Sequence, residues 1–90
     1  MHLQEKRQPL VNRVHRIAGQ LEAVERALLE GADCATTLQR VAAVRGAVNG
    51  LLDEIVEDHL REHVARPGLS DAQRAAGAEE LIVVIRRYSR

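Results

Sequence analysis

Apolar residues fall at Leu10, Val14, Ile17, Leu21, Val24 and Leu28, a spacing that alternates four and three. That is the heptad stripe of one helix face. Pro9 fits a first helical turn, where its missing N–H has no partner to lose. Glu30-Gly31-Ala32-Asp33 reads as the turn that ends this helix, with Asp33 placed to cap the next. The same alternation resumes at Leu38, Val41, Arg45, Val48, Leu52, Ile55 and His59, widened by Ala42, Leu51, Val56 and Leu60. It predicts a long second helix to about Ala65, stopped by Arg66-Pro67-Gly68. Gly46 and Gly50 on this helix point to close backbone packing against another helix. Ser70-Asp71-Ala72-Gln73 matches a capping box and opens a third helix ending near Tyr88. Its inward face is expected at Ala78, Leu81, Ile82, Ile85 and Tyr88.

The expectation is an all-α, three-helix subunit with two long antiparallel helices and a short third. No alternating β-branched run supports a sheet. Ninety residues make a single domain, 1–90, with little capacity to bury a core alone. With one tyrosine, no tryptophan and no phenylalanine, that core must be aliphatic. Two striped helices and one short helix do not close it, so a helical dimer or tetramer is expected.

Net charge is zero, which argues against a polybasic tail or a membrane-surface binder. The longest apolar run, Leu81 to Ile85, is too short to span a bilayer. The polar start, Gln4 to Arg7, does not read as a signal peptide. Cys34 is the only cysteine, so no disulfide forms within the chain, and the reducing cytoplasm is the expected location. No nucleophile–base pair or phosphate loop is evident, so the chain does not read as an enzyme.

His59 and His63 lie four apart on the second helix, so both imidazoles can reach one ion. A surface histidine pair bonded to Asp58, Glu62 or Glu57 is the plainer alternative. The position of His59 in the apolar stripe, the acidic residues Asp53, Glu54, Glu57, Asp58 and Glu62, and the thiol of Cys34 favour a cation. Cys34 and His59 are 25 positions apart. At about 1.5 Å per residue, a straight helix separates them by roughly 37 Å. If they share an ion, the ligands come from two chains, with two copies of the second helix antiparallel. Otherwise Cys34 is an inert, buried small residue. A mixed thiolate–imidazole set suits Ni²⁺, Co²⁺, Zn²⁺ or copper. His2 and the N-terminal amine are candidates for further donors.

No helix-turn-helix, zinc finger or basic zipper is visible, and stacking aromatics are absent. What remains is arginine. Arg13 and Arg16 share a face of the first helix with Gln20 beyond them, and Arg45 interrupts the second stripe. Arginine is the usual donor to phosphate and guanine edges. Each could equally be a solvated or ion-paired residue, and Arg45 a buried structural pair. His15 reads as solvated or DNA-facing.

The segments Arg13-Val14-His15-Arg16-Ile17-Ala18-Gly19-Gln20-Leu21 and Val41-Ala42-Ala43-Val44-Arg45-Gly46-Ala47-Val48-Asn49-Gly50-Leu51 resemble the CsoR/RcnR/FrmR family of bacterial repressors. The likeness runs from about Glu5 to Tyr88. It implies a homotetrameric disc, a dimer of antiparallel dimers, that binds double-stranded operator DNA and is released by its effector. Cys34 matches the shared cysteine and His59 the shared histidine. His63 stands where the copper-sensing branch has a second cysteine. His2 falls where the nickel/cobalt branch has its N-terminal histidine. The formaldehyde branch places proline directly after the initiator methionine; here that residue is histidine. The set His2, Cys34, His59 and His63 therefore resembles the nickel/cobalt branch, with Zn²⁺ a further candidate. By the same matching Arg13, Arg16 and Arg45 fall on DNA-binding positions. Two other readings stand beside this one. The first is an electrophile-responsive repressor using Cys34 as nucleophile. The second is a helical oligomerisation module with no DNA role.

Overall fold

The computed structural model describes residues 7–88. Three α-helices account for most of them: α1 Arg7–Leu29, α2 Cys34–Leu60 and α3 Asp71–Tyr88. A π-helical turn, Arg61–Ala65, extends α2. No strand occurs among the described residues. They form two compact units, residues 7–52 and 53–88, with α2 running through the division. Each unit is described by itself.

In the unit of residues 7–52, α1 and the first part of α2 form an antiparallel hairpin. The Arg40 guanidinium donates to the Ala23 carbonyl at 3.1 Å, and Arg13 lies against Gly50 at the other end. The link is short because both helix ends are chemically complete. Ala32 N–H bonds the Ala27 carbonyl at 2.9 Å and Gly31 N–H bonds that of Leu28 at 3.4 Å. This pair of bonds is the Schellman pattern, with Gly31 in the left-handed region at φ 71°. Asp33 then caps α2. Its carboxylate accepts from the Thr36 hydroxyl, and its carbonyl accepts from Thr37 N–H at 3.1 Å.

The α1 stripe divides into two sets. Leu10 is buried and Ile17 and Val24 are half-buried, a seven-residue spacing that faces the hairpin. Val14, Leu21 and Leu28 keep 48, 53 and 67% of their surface exposed. On the same unit's stretch of α2, Leu38, Val41, Val48 and Leu52 are exposed as well. One chain thus satisfies half of the heptad pattern.

Two expectations change here. Nothing lies within 4 Å of a Cβ placed on Gly46. At Gly50 the neighbour is a side chain, since a Cβ there would stand 2.6 Å from Arg13 Nη2. Neither glycine marks backbone-to-backbone packing within the chain.

In the unit of residues 53–88, Pro67 forces the change of direction. Arg66 adopts φ −58°, ψ 132°, the extended conformation favoured before proline. The predicted capping box then forms in both directions. Ser70 N–H donates to Gln73 Oε1 at 2.9 Å, and Gln73 N–H to Ser70 Oγ at 3.1 Å. The long second helix reaches Ala65 as expected, but its last turn is π rather than α. The inward face of α3 also differs from the expectation. It comprises Arg74, Gly77, Ala78, Leu81 and Val84, all buried or half-buried. Ile82, Ile85 and Tyr88 are exposed. The five apolar residues 81–85 cover the whole helix circumference, so periodicity could not choose among them.

Candidate metal centre

The two helical histidines come together in the unit of residues 53–88. Their ring centroids are 4.8 Å apart and tilted by 41°. His59 is in the last turn of α2 and His63 in the π turn. Both are half-buried. His63 opens onto a cleft of about 370 Å³ that Glu62, Gln73 and Glu80 also line.

His59 is oriented by α3. Its Nε2 lies 3.0 Å from the Gly77 carbonyl oxygen and 3.6 Å from Glu80 Oε2. A carbonyl only accepts, so Nε2 carries the proton in this bond. In the neutral ring the lone pair then sits on Nδ1, the tautomer in which that nitrogen can act as a ligand. The acidic end expected on α2 is present. Asp58 is buried at 5% exposure, and Glu54 is half-buried.

Cys34 is the first residue of α2 and belongs to the unit of residues 7–52. It is exposed, which removes the reading of an inert buried residue within the chain. Among the described residues, no group of three or more His, Cys, Asp or Glu is gathered to hold a metal ion. The donor chemistry suits a transition metal, with two imidazoles side by side and one accessible thiol. His2 lies outside the described residues.

The arginines occupy the other unit. Arg13 is half-buried and Arg16 exposed, and both line a small hollow of about 70 Å³ with Ile17, Gln20 and Ala47. The absent side chain at Gly50 makes room for the Arg13 guanidinium. Arg45 is exposed, so it is not a buried structural pair within the chain. His15 is exposed too.

Sequence reasoning missed Arg74, Gly77 and Glu80. Arg74 and Glu80 look like ordinary solvated charges. Gly77 sits in Ala75-Ala76-Gly77-Ala78, where it passes for one more small residue. A glycine inside a helix costs roughly 1 kcal/mol against alanine, and that cost was the available signal. The structure supplies its reason. A Cβ at Gly77 would lie 2.8 Å from both the carbonyl carbon and the Cβ of His63.

Residues 6–87 match the model of the family described as metal-sensitive transcriptional repressor. A Serratia marcescens protein known by its place in the bioA 5′ region is 47% identical over 87 residues, covering 97% of this chain and 96% of that one. The transcriptional repressor RcnR of Salmonella arizonae is 38% identical over 87 residues, with the same coverage of 97 and 96%. Among solved structures, a variant of the formaldehyde-responsive regulator FrmR from Salmonella enterica serovar Typhimurium superposes with a TM-score of 0.88. It is 44% identical, and the match covers 98% of this chain and 99% of that one.

Proposed function

Since the chain belongs to the metal-sensitive transcriptional repressor family, we propose that it binds operator DNA in its metal-free form and lets go on taking up nickel or cobalt. The family consists of repressors, not enzymes; its members bind operator DNA and are oligomeric. That sets aside a helical module without a DNA role. No described helix is long and apolar enough to cross a membrane. We take residues 1–90 as one domain and the cytoplasm as its place of action.

The observation that carries the reading is the His59–His63 pair, adjacent and with the His59 ring already turned by Gly77. These two residues would hold the ion with Cys34 from a second chain and His2 as a further donor. Cys34 and His59 are 25 positions apart in the sequence, a spacing that favours drawing the thiol and the imidazoles from two chains. The bound ion would supply a cross-link between subunits. Val14, Leu21, Leu28, Leu38, Val41 and Val48 supply the adhesive surface for that second copy, being exposed in the single chain. A dimer of antiparallel dimers follows the same logic. Arg13, Arg16 and Arg45 would contact DNA, and oligomerisation would repeat this modest patch. Nickel and cobalt accept nitrogen-rich, higher-coordinate sites; Zn²⁺ is the closest competitor.

The test is fluorescence anisotropy of a labelled DNA fragment from the protein's own promoter. Metal-free protein should bind it, and Ni²⁺ or Co²⁺ should release it reversibly on chelation. Binding that is indifferent to both metals would overturn the reading.

One observation favours a second reading. Cys34 is exposed, and the chain superposes on a regulator described as formaldehyde-responsive. In that case the Cys34 thiol adds across the aldehyde C=O; an S–C bond forms and the proton ends on oxygen. Intact mass after formaldehyde treatment separates the two readings. Addition of one formaldehyde at Cys34, absent in Cys34→Ala, with loss of DNA binding supports the second.

A further inference from the structure

We infer that α3 is the positioning element for the histidine pair, acting through Gly77 and Arg74, neither of which would touch the ion. This rests on the reading that His59 and His63 hold the metal. Gly77 meets both histidines in different ways. Its carbonyl receives His59 Nε2 at 3.0 Å. Its bare Cα lets the backbone of α3 settle directly on His63, where any side chain would collide with the main chain. Gly77 is the one buried residue of α3.

Arg74 lies three residues earlier on the same face and is half-buried. Its guanidinium donates to the Val64 carbonyl and reaches the Arg66 carbonyl at 3.5 Å. The last carbonyls of a helix lack helical partners, and Pro67 prevents the chain from supplying them. The planar, forked guanidinium fills that need from across the interface. π turns are rare and persist where the surroundings hold them. Here the surroundings are Gly77 at His63 and Arg74 at Val64 and Arg66. The offset of His63 from His59 is therefore set by how α3 docks, and the ligand geometry follows.

The test titrates Co²⁺ into the full chain and reads both affinity and the d–d absorption bands. Arg74→Met removes the donors and keeps the stem. It should weaken Co²⁺ at least tenfold and shift the bands, at unchanged helical circular dichroism and oligomer size. Arg74→Lys keeps one donor and should fall between. It carries the test if the methionine variant loses helicity. Gly77→Ala should shift the bands further. In the wild-type protein, exchange of the Arg74 guanidinium protons should be slowed, a reading that needs no variant. Folded Arg74 and Gly77 variants with wild-type affinity and bands would overturn the inference, as would guanidinium exchange at the free-arginine rate. His63→Ala separates the two failures. If it abolishes Co²⁺ binding while the Arg74 and Gly77 variants bind normally, only the positioning role falls. If it binds normally, the metal site itself is misassigned and the inference falls with it.

Discussion

The Nε2 atom of His59 lies 3.0 Å from the carbonyl oxygen of Gly77, so a main-chain group of α3 orients a side chain at the end of α2. The neutral His59 ring is expected as the Nε2–H tautomer, because the carbonyl can only accept. Long-range ¹⁵N–¹H correlation of the metal-free protein reads this directly. A proton on Nδ1 would show that the Gly77 carbonyl does not order the ring in solution.

Ser70 and Gln73 satisfy each other's backbone donors at the start of α3. Ser70→Ala should cost about 1 kcal/mol of stability, the usual value of an N-cap. Gly31→Ala, which forces a Cβ into φ 71°, should cost roughly 1–2 kcal/mol. Urea denaturation with unchanged slope measures both. Losses much smaller than these would mean that neither helix end depends on its cap.

Asp33 predicts a pH effect. The Thr36 hydroxyl bonded to its carboxylate holds the group below the ordinary value of 3.8. A depressed folded-state value means that the unfolded chain binds the proton more readily. The stabilisation is therefore full above pH 3.8 and is lost as pH falls through the folded-state value. Thr36→Val should melt below the wild type at neutral pH, and the gap should close on acidification. A gap that stays constant with pH would remove the carboxylate from the cap.

Gly50 and Arg13 set stability against binding. Gly50→Ala should stabilise α2 by up to about 1 kcal/mol through helix propensity. The new methyl group would also displace the Arg13 guanidinium, which occupies that space. Operator affinity should fall toward that of Arg13→Ala. The salt dependence of binding should flatten by about one ion for each phosphate that Arg13 no longer neutralises. Undiminished affinity in both variants would remove Arg13 from the DNA face.

Helices α1 and α2 were legible because each carries a periodic stripe between chemical stops, and α3 because a capping box opens it. Gly31, Asp33, Pro67 and the Ser70–Gln73 box each act within a few residues of chain, and local chemistry can be read locally. The π turn was not legible. Nothing in Arg61-Glu62-His63-Val64-Ala65 distinguishes an i+5 ladder from an i+4 ladder, because the register is held by Gly77 and Arg74 from another helix. Gly50 misled for the same reason in reverse: glycine spacing cannot say whether the neighbour within the chain is backbone or a side chain. The histidine pair was legible from its spacing. Its orienting partners were not, because they lie on another helix, with Gly77 18 residues beyond His59.

One metal site is proposed to draw Cys34 from one chain and His59 and His63 from another, and mixing two inactive variants tests this most directly. Cys34→Ala and His63→Ala proteins are each loaded with Co²⁺, separately and after subunit exchange, while thiolate-to-cobalt charge-transfer absorption is followed. Each variant alone should lack the band. The exchanged mixture should regain about a quarter of the wild-type intensity, because half of the dimers are mixed and each of those carries one whole site of two. Retention of the band in either variant alone, or a mixture that stays silent despite proven exchange, would contradict a site shared between subunits.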